Sequence, residues 1–265
     1  MIHYFCNGER ASGQLLAAAQ VNYGHFTSLQ VRGGAVQGWA LHLQRLQQGT
    51  QVLFDTGLDA VQLQSWLKQA LADCGMADAS VRITVFARAF DFRQPLRQVP
   101  VDVLVAVAPP ASMPAQARTV LPVRYQRELA QIKHVGTFPL FHHRRQAMAQ
   151  GYDDALFVDA AGRVSEGTTW NVAFWDGRQV LWPQADNLHG VAQQLLEDGL
   201  QRLGKMQVRQ AVALPALAGF SGAVACNATG LWPLAEVGEG LVFGQSGELL
   251  EVLQQALALA PWERL

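Results

Sequence analysis

The stretch VLPVRYQRELAQIKHVGTFPLFHHRRQAMAQGYDDALFVDAAGRVSEGTTWN, residues 120–171, decides the reading of this chain, and Lys133 is its centre. The chain holds three lysines, Lys68, Lys133 and Lys205. Lys68 lies in DAVQLQSWLKQALADCG, where Leu63, Trp66, Leu67, Ala70 and Leu71 recur at helical spacing and mark a buried face. Lys68 falls opposite, with Gln64 and Ala72, as a solvated lysine does. Lys205 follows Gly204 in a polar turn ahead of MQVRQAVAL. Lys133 instead stands among apolar and small residues (LAQIKHVGTF) before a helix. An amine that acts as a nucleophile has to be partly desolvated so that it loses its proton near neutral pH. Lys133 is the lysine placed for that task. A lysine at a helix start with its ammonium in water remains the competing reading.

Glu166 follows in VSEGTTWNVAFW, which reads as a strand ending at Asp176-Gly177. An Asp-Gly pair followed by RQVLWP predicts a two-residue hairpin. A carboxylate on a sheet needs a partner, and a pyridinium nitrogen or an arginine would serve. In PQADNLHGVAQQLLEDGLQRLG a helix is predicted from Gly190 or Val191, with Val191, Leu195, Leu196, Leu200 and Leu203 on its apolar side. A glycine just ahead of such a start leaves amide donors suited to a phosphate.

The order IKH, SEGTTWN, LHGVA and ACNATGLWPL resembles the class IV (fold type IV) pyridoxal-phosphate enzymes, which include branched-chain and D-amino-acid aminotransferases and aminodeoxychorismate lyase. FCNGER, NYGHFTS and LHLQRL resemble that family's opening strand, first active-site strand and histidine–arginine–leucine helix motif, so nearly the whole chain is covered. IKH, CNA and HLQRLQ are most similar to the lyase. By this resemblance Lys133 is the lysine that carries pyridoxal 5'-phosphate and moves the proton, and Glu166 pairs with the pyridine nitrogen. Arg45 holds the phosphate, together with the amides of Val191 and Ala192 and the loop Asn227, Ala228 and Thr229. Three departures touch the substrate side. Gly136 stands where the family has an asparagine, bulky Trp170 where it has small residues, and ARAFDFRQP replaces a glycine-rich loop. Tyr23, Phe26, Arg88 and Trp170 are the candidate substrate contacts, although the three aromatics could equally be core and Arg88 could pair only with Asp91. A guanidinium matches a carboxylate bidentately, which is what recommends Arg88 and Arg93.

Composition bounds what else the chain could be. Half of its 265 residues are hydrophobic and 15% are charged, a globular profile. A net charge of −1 supplies no field for nucleic acid or an anionic membrane. Cys6, Cys74 and Cys226 show neither paired nor metal-type spacing, and no metal is expected. With no signal pattern and no long apolar run, a cytoplasmic protein is expected. Asn7-Gly8 and Gly33-Gly34 predict hairpins, a helix is predicted over 59–74 ending at Gly75, and strands over VRITVFAR and VDVLVAVA. PPASMPAQA, residues 109–117, reads as a linker.

The expected fold is two-domain α+β, with residues 1–112 forming an N-terminal domain and 113–265 a C-terminal domain carrying the lysine, the cofactor lying in the cleft between. The resemblance implies a homodimer. The expected function is a pyridoxal-phosphate aminotransferase moving an amino group from a small amino acid or amine donor to a 2-oxo acid acceptor. The alternatives are aminodeoxychorismate lyase, which forms 4-aminobenzoate and pyruvate, and a non-catalytic relative that binds the cofactor or a partner.

Overall fold

A computed structural model of the protein describes residues 1–11, 13, 20, 22–112 and 116–265. The chain divides into two units, Met1–Ala111 with Ile132–Gly136 and Pro261–Leu265, and Ser112–Gln131 with Thr137–Ala260. The single boundary expected after residue 112 therefore becomes a crossing made more than once. The segment carrying Lys133 belongs to the first unit, because its backbone is hydrogen-bonded to a strand there. The linker expectation falls partly on residues 113–115, which lie outside the described residues.

The first unit is built on an antiparallel sheet of β1 (His3–Cys6), β2 (Glu9–Arg10), β3 (Gly24–Arg32), β4 (Ala35–Gln37), β5 (Ala79–Phe86), β6 (Asp102–Ala108) and a last strand, Trp262–Arg264. The order runs Trp262–Arg264, β4, β3, β5, β6, β1, β2. Both predicted hairpins are present. Asn7 and Gly8 (φ 50° and 86°) and Gly33 and Gly34 (φ 55° and 74°) take the left-handed conformations that a two-residue hairpin demands. Alternation in β5 sends Val81, Ile83 and Val85 to a buried face shared with Leu29, Val31, Val103, Val105 and Val107. That face is covered by Leu46 and Phe54 of helix Trp39–Phe54 and by Leu63, Leu67, Ala70 and Leu71 of helix Ala60–Cys74. Asp59 caps the second helix by accepting from the amides of Val61 and Gln62, and Gly75 (φ 62°) ends it.

The second unit holds a mixed sheet of β7 (Arg118–Arg124), β8 (Asp154–Val158), β9 (Val164–Gly167), β10 (Asn171–Trp175), β11 (Val180–Pro183), β12 (Gln207–Gln210), β13 (Gly222–Asn227), β14 (Gly230–Val237) and β15 (Leu241–Val242). The order is β12, β11, β10, β13, β14, β7, β8, β9, with β15 on β14. The pairs β7–β8, β7–β14 and β11–β12 are parallel. Parallel neighbours need crossovers, and helices Phe138–Ala149 and Val191–Arg202 supply two of them. Helices Val191–Arg202 and Ser246–Ala258 close the core around Trp182, Leu196, Leu200, Val224, Leu249 and Leu253.

Two local expectations are corrected here. VSEGTTWNVAFW is two strands, β9 and β10, because residues 168–170 leave the ladder. Gly167 and Trp170 bracket that tip, the Gly167 amide donating to the Trp170 carbonyl at 2.8 Å. Asp176-Gly177 makes no two-residue hairpin. The register Trp175↔Val180 leaves Asp176–Gln179 as the connection, in which the Asp176 carboxylate accepts from the amides of Arg178 and Gln179. An Asx turn has taken the place of the tight turn. Among the described residues no helix is long and apolar enough to cross a membrane.

Candidate functional site

Lys133 is set by backbone pairing. The Phe26 amide donates to the Lys133 carbonyl and the Val135 amide to the Gly24 carbonyl, each at 2.9 Å, while His25 faces His134 in an antiparallel bridge. Residues 132–136 thus run as an added edge beside β3, so the lysine side chain is aimed by a sheet rather than by the helix that follows. Its Nζ lies 5.0 Å from the centroid of the Phe26 ring, and the Arg82 guanidinium stacks on the same ring at 3.6 Å. Gly136, where the resemblance expects an asparagine, sits against the His134 imidazole. A Cβ there would fall 3.0 Å from Nδ1, so the ring takes the space a side chain would need.

Arg45 stands one turn from His42 on helix Trp39–Phe54, and both reach Thr27 of β3. The Thr27 hydroxyl is 2.7 Å from His42 Nδ1, and Arg45 Nη2 contacts that hydroxyl and lies 3.2 Å from Nδ1. A cation beside Nδ1 leaves that nitrogen an acceptor. The hydroxyl then donates to His42 and accepts from Arg45, one continuous chain. Burial holds His42 well below the ordinary imidazole range, with Arg45 and Lys133 adding to the effect. His25, bonded to Thr50 at 3.0 Å, is pushed down to about 4 by burial and then by Arg45. Both imidazoles are therefore neutral near pH 7. Burial lowers Arg45 to about 10, which leaves it charged. Its Nε is buried with no hydrogen-bond partner, and among the described residues no carboxylate reaches its guanidinium.

In the second unit Glu166 projects from β9 and is buried, with its Oε1 3.8 Å from Nη1 of the buried Arg127. Helix Val191–Arg202 starts at Gly190 with no side-chain cap. Its first intrahelical bond runs from the Gln194 amide to the Gly190 carbonyl, so the amides of Val191, Ala192 and Gln193 precede the helical ladder. The side chains of Val191 and Ala192 are buried, which makes the backbone their contribution. Gly190 is required by contact: a Cβ would lie 2.3 Å from Asn171 Oδ1, and Asn171 is anchored by its Nδ2 donating to the Leu188 carbonyl at 2.7 Å. Ala228 and Thr229 form the two-residue turn between β13 and β14. Asn227 shapes that turn, accepting from the Thr229 amide at 2.8 Å and donating to the Thr169 carbonyl at 3.3 Å.

The expected substrate residues fare unevenly. Phe26 is in the Lys133 group. Tyr23 is partly exposed, stacks on Phe90 at 4.5 Å and donates to the Leu53 carbonyl at 3.0 Å. Arg88 pairs with Asp102, not Asp91, through Nε and Nη2, and Asn7 also donates to that carboxylate. The guanidinium and these hydrogen bonds hold Asp102 below the usual carboxylate range against its desolvation. Arg88 thus has its carboxylate inside the protein. Trp170 is a core residue, 3% exposed, with its Nε1 donating to Asp154 at 3.0 Å and its ring edge-on to Trp232. Two arginines beside these groups escape the sequence. Arg82 alternates outward in VRITVF like any solvent-facing strand residue, and Arg127 lies in a polar run, YQREL, indistinguishable from a surface loop.

A model of the family described as amino-transferase class IV matches residues 24–237. A probable branched-chain-amino-acid aminotransferase of Rickettsia felis is 33% identical over 88 residues, 33% of this chain and 29% of that relative, so the chain spans under a third of it in this match. Among solved structures, the branched-chain amino acid aminotransferase of Escherichia coli superposes with a TM-score of 0.84 at 17% identity, covering 96% of this chain and 92% of the other. The branched-chain aminotransferase of Thermoproteus uzoniensis with norvaline gives 0.85 at 17% identity, covering 97% and 95%. A hypothetical aminotransferase from Mycobacterium tuberculosis in its PLP-bound form gives 0.79 at 20% identity, covering 96% and 98%. At these identities the structures establish a shared fold, that of fold type IV branched-chain aminotransferases. With a family match over most of its length, this chain belongs to the class IV aminotransferases.

Proposed function

We propose that this protein is a pyridoxal-phosphate-dependent aminotransferase that moves an amino group from an amino acid or small amine to a 2-oxo acid. The observation that carries the reading is Arg45, a buried cation whose Nε has no hydrogen-bond partner and whose Nη2 joins the His42–Thr27 pair. Such a group fits a phosphate, and the uncapped helix start at Val191 is by itself also suited to an anion. The residues present fit the cofactor.

Pyridoxal phosphate, when bound, supplies the electron sink on which amino-group transfer depends. Lys133 Nζ would be the amine that holds the cofactor, and it would also move the proton at the substrate α-carbon. Glu166 would pair with the ring nitrogen and hold a proton on it, with Arg127 Nη1 3.8 Å from its carboxylate. Arg45, the amides of Val191 and Ala192, and the Asn227–Thr229 turn hold the phosphate. Neutral His42 orients Thr27 toward Arg45 without adding a competing charge.

Transamination is favoured over lyase chemistry by the 87–95 loop, where Phe90 stacks on Tyr23 and offers an apolar surface in place of a glycine-rich loop. The names of the relatives recommend branched-chain amino acids as the first donors. The experiment supplies protein and pyridoxal phosphate with branched-chain, other L- and D-amino donors and a 2-oxo acid, and follows the amino acid formed. Product that depends on the cofactor and disappears in Lys133→Ala supports the reading. Release of 4-aminobenzoate from aminodeoxychorismate, with no amino acid formed from any donor, would show a lyase instead. Cofactor binding with neither product would show a non-catalytic relative.

A further inference from the structure

We infer that Asp154 and Trp170 are positioning residues that hold Glu166 in register with the cofactor ring, a role resting on the aminotransferase reading above. Glu166 sits one residue before the point where β9 leaves its ladder, and the pairing of β8 with β9 is itself irregular between Leu156 and Val158. Side chains add to what fixes this strand end. Asp154, buried at the start of β8, accepts from Thr168 Oγ1 at 2.7 Å with one carboxylate oxygen and from Trp170 Nε1 at 3.0 Å with the other. Arg144 Nε stands 3.7 Å from the second oxygen. The tip that directly follows Glu166 is thereby clasped at both of its ends by one carboxylate.

The Trp170 ring completes the arrangement by lying across Gly167. A Cβ on Gly167 would fall 1.9 Å from ring atom Cε2, so no side chain fits beside Glu166 while the indole is there. Between the two held residues, the Thr169 carbonyl accepts from Asn227 Nδ2 at 3.3 Å, which ties the tip to the turn Asn227–Thr229. Upstream, the Ser165 carbonyl accepts from Asn187 Nδ2 at 3.1 Å. Asp154 thus couples the strand of the ring-nitrogen partner to a loop on the phosphate side. Trp170, the bulky departure, is therefore no intruder in the pocket. Its indole N–H performs a task that a small residue could perform only with a hydroxyl.

The test compares wild type, Asp154→Asn, Trp170→Phe, Gly167→Ala and the double variant Gly167→Ala/Trp170→Ser. The measurements are the Kd for pyridoxal phosphate and the pH midpoint of the bound cofactor's visible absorbance, which reports the charge environment of the ring. Removing a hydrogen bond to a buried carboxylate and loosening Glu166 should raise Kd about tenfold in Asp154→Asn and several-fold in Trp170→Phe, each with a displaced absorbance midpoint. Gly167→Ala should behave like Asp154→Asn, and the double variant, which relieves the collision but also lacks the indole N–H, should recover only to the level of Trp170→Phe. If Asp154→Asn does not fold, Trp170→Phe, which keeps the ring and loses only the N–H, carries the comparison. Variants that melt earlier yet keep the wild-type Kd and midpoint would show a purely structural role and overturn the inference. Wild type that binds no pyridoxal phosphate would instead overturn the aminotransferase reading on which it rests.

Discussion

Replacing Gly190 by alanine tests the geometry of the phosphate-side helix start with a single methyl group. Gly190 has φ −64° and ψ 148°, a conformation open to alanine, so backbone strain contributes nothing. The collision does. The added Cβ would lie 2.3 Å from Asn171 Oδ1, more than 1 Å inside an ordinary contact at about 3.5 Å. Asn171 can move aside only by giving up its 2.7 Å bond to the Leu188 carbonyl, or else the helix start must shift. Losing a buried hydrogen bond costs about 1–3 kcal/mol. Alanine is also a poorer N-cap than glycine by about 0.5 kcal/mol or more, while its stiffer unfolded chain returns about 0.4–1 kcal/mol. The two small terms nearly cancel, and the hydrogen bond decides. The expected loss is about 1–3 kcal/mol, which for a chain of this size lowers Tm by about 2–10 °C.

On the proposed reading, the same displacement would move the amides of Val191 and Ala192 away from the phosphate. Each 1.4 kcal/mol of lost anion binding is about a tenfold rise in Kd. The assay pairs a thermal melt of the cofactor-free protein with a pyridoxal phosphate titration. Gly190→Ala/Asn171→Ala serves as relief, since it deletes the atom that is struck. If Gly190→Ala keeps both the wild-type Tm and the wild-type Kd, the helix start is not packed as described and is not the phosphate site. The double variant also lacks the Leu188 bond and so keeps the lower Tm; if it binds pyridoxal phosphate no more tightly than the single one, the collision is not the cause.

Other outcomes follow from the first unit. Arg45→Ala should weaken pyridoxal phosphate binding by about 1.5–3 kcal/mol, the contribution of a hydrogen bond to a charged group, and an unchanged fluorescence titration would place the phosphate elsewhere. Borohydride reduction of the protein with pyridoxal phosphate should mark Lys133, and peptide mapping that finds the adduct on Lys68 or Lys205 would remove Lys133 from its role. His25 titrates near 4 in the folded chain against 6.5 when free, so the unfolded chain binds more protons between those values. Its contribution is intact above pH 6.5 and lost as pH falls toward 4, up to about 3 kcal/mol. Urea midpoints measured from pH 7 to 4.5 should fall less steeply in His25→Gln than in wild type, and equal slopes would show that another group sets the acid limb.

What could be read in advance was whatever depends on local chemistry. Asn7-Gly8 and Gly33-Gly34 made their hairpins because left-handed pairs have few other uses, and Asp59 with Gly75 bounded a helix for the same kind of reason. Asp176-Gly177 misled, because the aspartate side chain closed its own turn over Arg178 and Gln179 before a tight hairpin could form. Lys133 stood out as the lysine set among apolar residues, but its unit did not. The residues before it and after it belong to one sheet system, while five residues around it pair with β3, a long-range backbone match that leaves no mark in composition. Arg127 and Arg82 were invisible for a related reason: a buried arginine and a stacked one are spelled like their solvated counterparts.

Trp170 shows how a departure from a pattern should be weighed. Read along the sequence, the bulky indole four residues after Glu166 is a departure on the substrate side. Read in three dimensions, the indole N–H meets a buried carboxylate, the ring lies on a glycine, and its edge meets Trp232. All three contacts point into the core of the second unit. Size alone therefore says little about whether a bulky residue obstructs a site; the partner of its one polar atom says more. Gly136 follows the same logic in reverse, since the His134 ring occupies the room that an asparagine would have filled. Both departures are accommodated by packing within their own unit. Under the proposed function, the first places to test for substrate choice are Tyr23 with Phe90 and the guanidinium of Arg82 over Phe26.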